Sequence, residues 1–193
     1  MFTPELKKLN SIPKGTTTKM QKKLNKNNTL IYQKNYPYLS KNKSTKPHQA
    51  TLGIGGNVGD VRRRFNHLFF YLKRSSFIDI VETAPILKNP PFGYLEQDYF
   101  YNSLIIVKTC LRPKALLRYI LQVEKKFGRK RSFADAPRTL DIDMIFYEDE
   151  VMNTAELTLP HNAWHERESV KIPLVHLKTK IINYEKISRK NGK

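Results

Sequence analysis

Cysteine is nearly missing from this chain. Cys110 is the only one, so no intramolecular disulfide can form and a disulfide-framed secreted scaffold is excluded. Long apolar runs are missing too. Apolar residues make up 39%, mean hydropathy is −0.56, and no stretch approaches the ~18 apolar residues of a membrane-spanning helix. The first fifty residues carry lysines but no arginine and no apolar core of a signal peptide. The expectation is therefore a soluble, cytoplasmic protein with no membrane contact. There is no G-x-x-x-x-G-K-[ST], which excludes a P-loop enzyme. Acidic residues are scarce, with 17 Asp+Glu against 35 Lys+Arg and a net charge of +18. The 193 residues amount to one domain with tails.

Most of the excess charge sits at the ends. Residues 1–50 hold eleven lysines against the single acid Glu5, and residues 178–193 hold six basic residues against Glu185. The middle is close to balanced. Three segments follow: a basic, disordered N-terminal arm at 1–48, a folded domain at 49–177 and a basic tail at 178–193. An arm rich in Lys, Asn, Thr and Pro cannot bury enough apolar surface to order itself. It suits electrostatic contact with a nucleic acid or, more simply, solvent. Tyr32, Tyr36 and Tyr38 suggest that its last part lies against the domain.

Within the middle, 49–55 reads as a buried strand and Asp60 is placed to cap a helix over 61–74. Residues 77–81 are β-rich. Residues 88–93 carry two prolines and a glycine and read as a loop. A long strand follows at 99–109. A helix runs over 114–127, with Pro113 at its first turn and Gly128 past its end. Residues 129–139 form a basic loop, and 140–147 alternates as a strand. The order β-α-β-β-α-β predicts an α+β, ferredoxin-like sandwich with helices over an antiparallel sheet. Cys110 reads as a small buried hydrophobe.

The chemistry concentrates in Pro137-Arg138-Thr139-Leu140-Asp141-Ile142-Asp143. On a strand, residues i and i+2 share a face, so Asp141 and Asp143 stand side by side with Leu140, Ile142 and Met144 turned to the core. Adjacent carboxylates repel unless a cation separates them, and Mg²⁺ accepts one or two carboxylates while keeping water and phosphate oxygens. An Asp-x-Asp pair alone also fits an ordinary exposed strand face. Arg129, Lys130, Arg131 and Arg138 upstream supply the guanidinium side of a polyphosphate site. His161 is either structural or a hydrogen-bond donor to phosphate.

The same residues resemble the 6-hydroxymethyl-7,8-dihydropterin pyrophosphokinase family. Gly53-x-Gly55-Gly56-Asn57-x-Gly59-Asp60 is similar to its opening motif, with Gly56 where the family has serine. Phe100-Tyr101-Asn102, Glu124 with Gly128-Arg129-Lys130-Arg131, Pro137–Asp143, Leu159-Pro160-His161 with Arg167, and Pro173-Leu174 follow in the family's order. The resemblance implies transfer of pyrophosphate from ATP to the pterin's hydroxymethyl group, with release of AMP, in folate biosynthesis. It implies that Asp141 and Asp143 hold two Mg²⁺ ions, that Arg129 and Arg138 act on the transferring phosphates, and that Glu124, Arg131, His161 and Arg167 bind ATP. It implies a pterin site of Asn89, Pro90, Phe92, Phe100 and Asn102, in a protein acting as a monomer. Two aromatic positions of the family are Asp135 and Ser169 here, so Trp164 is the candidate for a second wall on the pterin. The competing readings are an RNA-binding module of the same fold and another Mg²⁺-dependent phosphoryl or nucleotidyl transferase. The RNA reading leaves the aspartate pair without a task.

Overall fold

The computed structural model describes residues 20–91, 93, 95–129 and 136–181. Its first elements are β1 (Met20–Lys23), β2 (Thr29–Tyr32), β3 (Tyr38–Leu39) and β4 (His48–Gly56). Helix α1 (Val61–Lys73) begins where Asp60 accepts the Arg63 N–H at 3.0 Å. Strands β5 (Ile78–Thr83), β6 (Ile86–Asn89) and β7 (Phe100–Thr109) lead to α2 (Pro113–Lys126), whose first residue is the proline read from the sequence. Then come β8 (Asp141–Tyr147), a small hairpin of β9 (Met152–Asn153) and β10 (Thr158–Leu159), and α3 (Glu168–Leu174).

The main sheet runs in the order β1-β2-β6-β7-β4-β8, with β5 also on β7 and β3 on β5, and every pairing is antiparallel. The α+β class expected from the sequence is the one found. Strand alternation divides the core in two. Leu52, Ile54, Ile142 and Met144 face the apolar stripe of α1 (Phe65, Leu68, Phe69, Leu72) and of α2 (Leu116, Ile120, Val123). Leu104 and Ile145 face the opposite way, onto Trp164 and the Val170 and Leu174 of α3.

Residues 20–48, expected as disordered arm, instead contribute three short strands to the sheet. Leu30 and Ile31 are fully buried where β2 pairs with β6, and Tyr36 is buried with its hydroxyl donating to the Phe65 carbonyl at 3.0 Å. The lysines conceal these strands because most of them lie in the turns between very short elements, so composition masks the few buried apolar residues. Residues 1–19 lie outside the described residues. The loop expected at 88–93 also gives way in part. Lys88 and Asn89 belong to β6, paired with Tyr101 and Phe100, and Pro90 ends the strand. Cys110, expected to be buried, is exposed, because it follows the last residue of β7 at the turn into α2.

At the other end, residues 178–180 are tied to the sheet. The buried Glu82 accepts the N–H groups of Lys178 and Thr179 at 2.8 and 2.7 Å, and Gln49 Nε2 donates to the Lys180 carbonyl at 3.1 Å. A buried carboxylate that satisfies two backbone donors is expensive to delete. Glu82→Ala is expected to lower stability by about 2–3 kcal/mol in urea titration. A loss below about half a kcal/mol would show that the clasp contributes little.

Candidate active site

On the face of the sheet that carries α3, a cavity of about 640 Å³ opens between the strands, the C-terminal end of α2 and residues 161–170. Its floor exists because Gly53 and Gly55 of β4 lack side chains there and sit opposite Asp143 and Asp141 of β8. A Cβ on Gly55 would meet Asn102 Oδ1 at 2.7 Å. The two aspartates share this face as their i, i+2 spacing requires.

Asp141 is buried and holds two guanidiniums. Arg129 donates to its Oδ1, and Arg138 donates to its Oδ2 at 2.6 Å. Arg129 also donates to Glu124, a buried residue at the end of α2 that accepts the Ile142 N–H at 2.6 Å. Arg129 thus bridges two acids. Burial alone would raise the Asp141 carboxyl, but Arg129 and Arg138 outweigh it and hold it below the usual carboxylate range. Burial pushes Glu124 up to about 7 despite the Ile142 N–H and Arg129. Asp143 is also raised, first by its sheltered position and then by the neighbouring Asp141 charge. It opens onto the cavity with His161 Nε2 at 3.9 Å. His161 Nδ1 lies 2.7 Å from the Asn162 carbonyl. A carbonyl can only accept, so Nδ1 carries the hydrogen and Nε2 faces Asp143.

The other half of the cavity is flatter and less charged. The Phe100 ring lies under Arg138, with Cζ 5.2 Å from its centroid. Asn102 donates to Asn89 Oδ1 at 2.7 Å, and Asn89 donates in turn to the Pro90 carbonyl at 2.9 Å. Arg167 lines the wall opposite. Eleven of the thirteen residues expected at the site therefore line one cavity, and Phe92 and Arg131 lie outside the described residues.

Trp164 does not. It is 4% exposed and packs edge-on against Phe146 in the core behind the cavity, at 5.0 Å between centroids. Ser169 lines the cavity at the aromatic position, so no tryptophan replaces it.

Sequence reasoning gave Asn57 no task, yet it fastens the glycine-rich turn to the loop that carries Arg138. Its Oδ1 accepts the Arg138 N–H at 2.9 Å, its own N–H donates to the Arg138 carbonyl at 3.0 Å, and its Nδ2 reaches Gln97 Oε1 at 2.9 Å. Gly56 permits this approach, since a Cβ there would stand 2.6 Å from the Thr139 carbonyl. The only sequence signal was the position of Asn57 inside the glycine motif.

Paired carboxylates opposed by guanidiniums over an antiparallel sheet have the layout of a Mg²⁺-dependent phosphoryl-transfer site. Comparison with known proteins narrows that class. Residues 51–179 match the family model for 7,8-dihydro-6-hydroxymethylpterin-pyrophosphokinase (HPPK). The 2-amino-4-hydroxy-6-hydroxymethyldihydropteridine pyrophosphokinase of Helicobacter pylori is 40% identical over 141 residues, covering 72% of this chain and 86% of that protein. The enzyme of that name from Campylobacter jejuni is 37% identical over 139 residues, covering 72% and 88%. The folic acid synthesis protein FOL1 of Dictyostelium discoideum is 36% identical over 135 residues, covering 70% of this chain and 20% of that protein. The chain belongs to the HPPK family.

Proposed function

We propose that this protein transfers the pyrophosphoryl group of ATP to the hydroxymethyl oxygen of 6-hydroxymethyl-7,8-dihydropterin. The hydroxyl oxygen bonds to the β-phosphorus, the bond from the β-phosphorus to the oxygen bridging to the α-phosphorus breaks, AMP leaves and the hydroxyl proton passes to solvent. Family membership supports the reaction. The observation that carries it in this chain is the juxtaposition of Asp141 and Asp143 with Arg129 and Arg138, in one cavity with Phe100 and Asn102.

The donor set fits Mg²⁺: two hard carboxylates side by side, one of them open to the cavity. Two Mg²⁺ ions bound with ATP would be held by Asp141 and Asp143 and would neutralise phosphate charge. The remaining work falls to the chain. Arg129 and Arg138, which balance Asp141, are the groups to turn onto the transferring phosphates. Arg131, Arg167 and His161 bind the nucleotide's anionic part and Glu124 orients Arg129. Phe100, with Asn89, Pro90 and Phe92, receives the flat pterin, and Asn102 hydrogen-bonds its amide edge. The acting unit in this reading is a monomer, which analytical ultracentrifugation of the active protein tests. No helix among the described residues is long and apolar enough to cross a membrane.

The direct test follows the label of [β-³²P]ATP in the presence of the pterin. Label in a diphosphorylated pterin, with unlabelled AMP, is expected. Label in free ADP or pyrophosphate would overturn the proposal. The two halves of the site also separate by mutation. Gly55→Ala pushes on Asn102 Oδ1, so the pterin KM is expected to rise about tenfold, the order of one lost hydrogen bond. The ATP KM should stay within about twofold. A rise confined to the ATP KM would contradict the assignment of Asn102 to the pterin.

A further inference from the structure

The family match begins at residue 51, yet a residue well before it reaches the cavity wall. Asn28 is 1% exposed and its Nδ2 donates to Glu168 Oε2 at 2.9 Å. A carboxylate only accepts, so the amide must present its nitrogen and the orientation is fixed by chemistry. Asn28 is itself held: its N–H donates to Asn25 Oδ1 at 2.8 Å, and its carbonyl accepts the Leu24 N–H at 2.9 Å. The three residues after it, Thr29, Leu30 and Ile31, pair with Lys88, Leu87 and Ile86 of β6. That strand ends at Asn89 in the cavity.

Glu168 is the first residue of α3, with Arg167 before it and Ser169 after it, and all three line the cavity. The helix has seven residues and no side-chain cap at Arg167. A helix this short has little stability of its own, so its N-terminal end takes its position from what holds it. Asn28 is such a hold, and it ties the start of α3 to β2, the neighbour of β6.

We infer that Asn28 is a positioning residue for nucleotide binding: it fixes Glu168, and through it the Arg167 backbone, against β2 beside the pterin-side strand. The inference rests on the pyrophosphokinase reading, because it assigns Arg167 to the nucleotide.

The test measures binding of Mg²⁺ with α,β-methylene-ATP by isothermal titration calorimetry. Carbon replaces the oxygen at which the transfer cleaves, so no turnover intervenes. Asn28→Ala is expected to weaken binding about tenfold, the order of one charge-assisted hydrogen bond. Its kcat at saturating ATP and its pterin KM should stay within about twofold of the unsubstituted protein. Asn28→Asp, which sets two carboxylates face to face, should bind more weakly still. Glu168→Gln keeps an acceptor and should bind like the unsubstituted protein, whereas Glu168→Ala should match Asn28→Ala. In the Glu168→Ala background, Asn28→Ala should add nothing.

Unchanged binding by Asn28→Ala, or an equal effect of that change in both backgrounds, would overturn the inference. If Asn28→Ala does not fold, the Glu168 pair decides: equal binding by Gln and Ala overturns it, and loss in Ala alone supports it. An unsubstituted protein that fails to bind the analogue removes the pyrophosphokinase reading and this inference together. Normal binding that ignores Asn28 removes this inference alone.

Discussion

Asp143→Ala is expected to lower the rate of AMP release by about three orders of magnitude or more while leaving the fold intact. The rate effect follows from the metal: charge neutralisation on transferring phosphates is worth several kcal/mol, and each 1.36 kcal/mol is about tenfold. The unaltered fold follows from the position of Asp143. Its carboxylate opens onto the cavity, its nearest ion-pair distance is 3.9 Å to His161, and its pKa is raised rather than lowered. A carboxyl raised on folding is one whose charge the fold disfavours, so removing it costs the native state nothing at neutral pH. Thermal midpoints within a few degrees of the unsubstituted protein, together with lost AMP release, would bear this out. A variant that keeps a tenth of the activity at ordinary Mg²⁺ concentration would contradict it.

Arg129→Met has the opposite balance, since it strikes the fold as well as the chemistry. Arg129 is the cation shared by Glu124 and Asp141, whose side chains are both largely shielded from solvent. Deleting it leaves the two acids facing each other, while Arg138 stays on Asp141 and the Ile142 N–H stays on Glu124. Breaking a buried charge pair from one side costs about 3–5 kcal/mol. Urea unfolding should record a loss in that range, and AMP release should fall even where the variant is fully folded, because the same guanidinium serves the phosphates. A folded variant with unchanged stability would mean that the bridge is only a surface contact.

The contrast between these residues bears on how far the sequence could be read. The strand of Asp141 and Asp143 was legible because a period of two places acids and aliphatics on opposite faces, and Ile142 and Met144 do pack under the helices. Helices α1 and α2 were legible from apolar spacing and from Asp60 and Pro113 at their starts. The first three strands were not. Each is two to four residues long and lysine-rich nearby, so no period accumulates, and their burial depends on a sheet edge far along the chain. Glu124 could be placed near the site only by resemblance, since its partner N–H on Ile142 is 18 residues away. Asn57 and Asn28 act through backbone groups and a distant carboxylate, which leave no local pattern. Trp164 shows the reverse error: an aromatic near the site in sequence that the turn at 162–166 places in the core.

The seat formed by Asp141 and Asp143 is the point on which the account depends. It is tested most directly by a crystal structure of the protein with Mg²⁺ and α,β-methylene-ATP. The expected result is metal density bonded to both carboxylates and to phosphate oxygens, with Arg129 and Arg138 turned from Asp141 toward the phosphates. Nucleotide bound in the cavity without an ion at either aspartate, or bound elsewhere on the sheet, would contradict it.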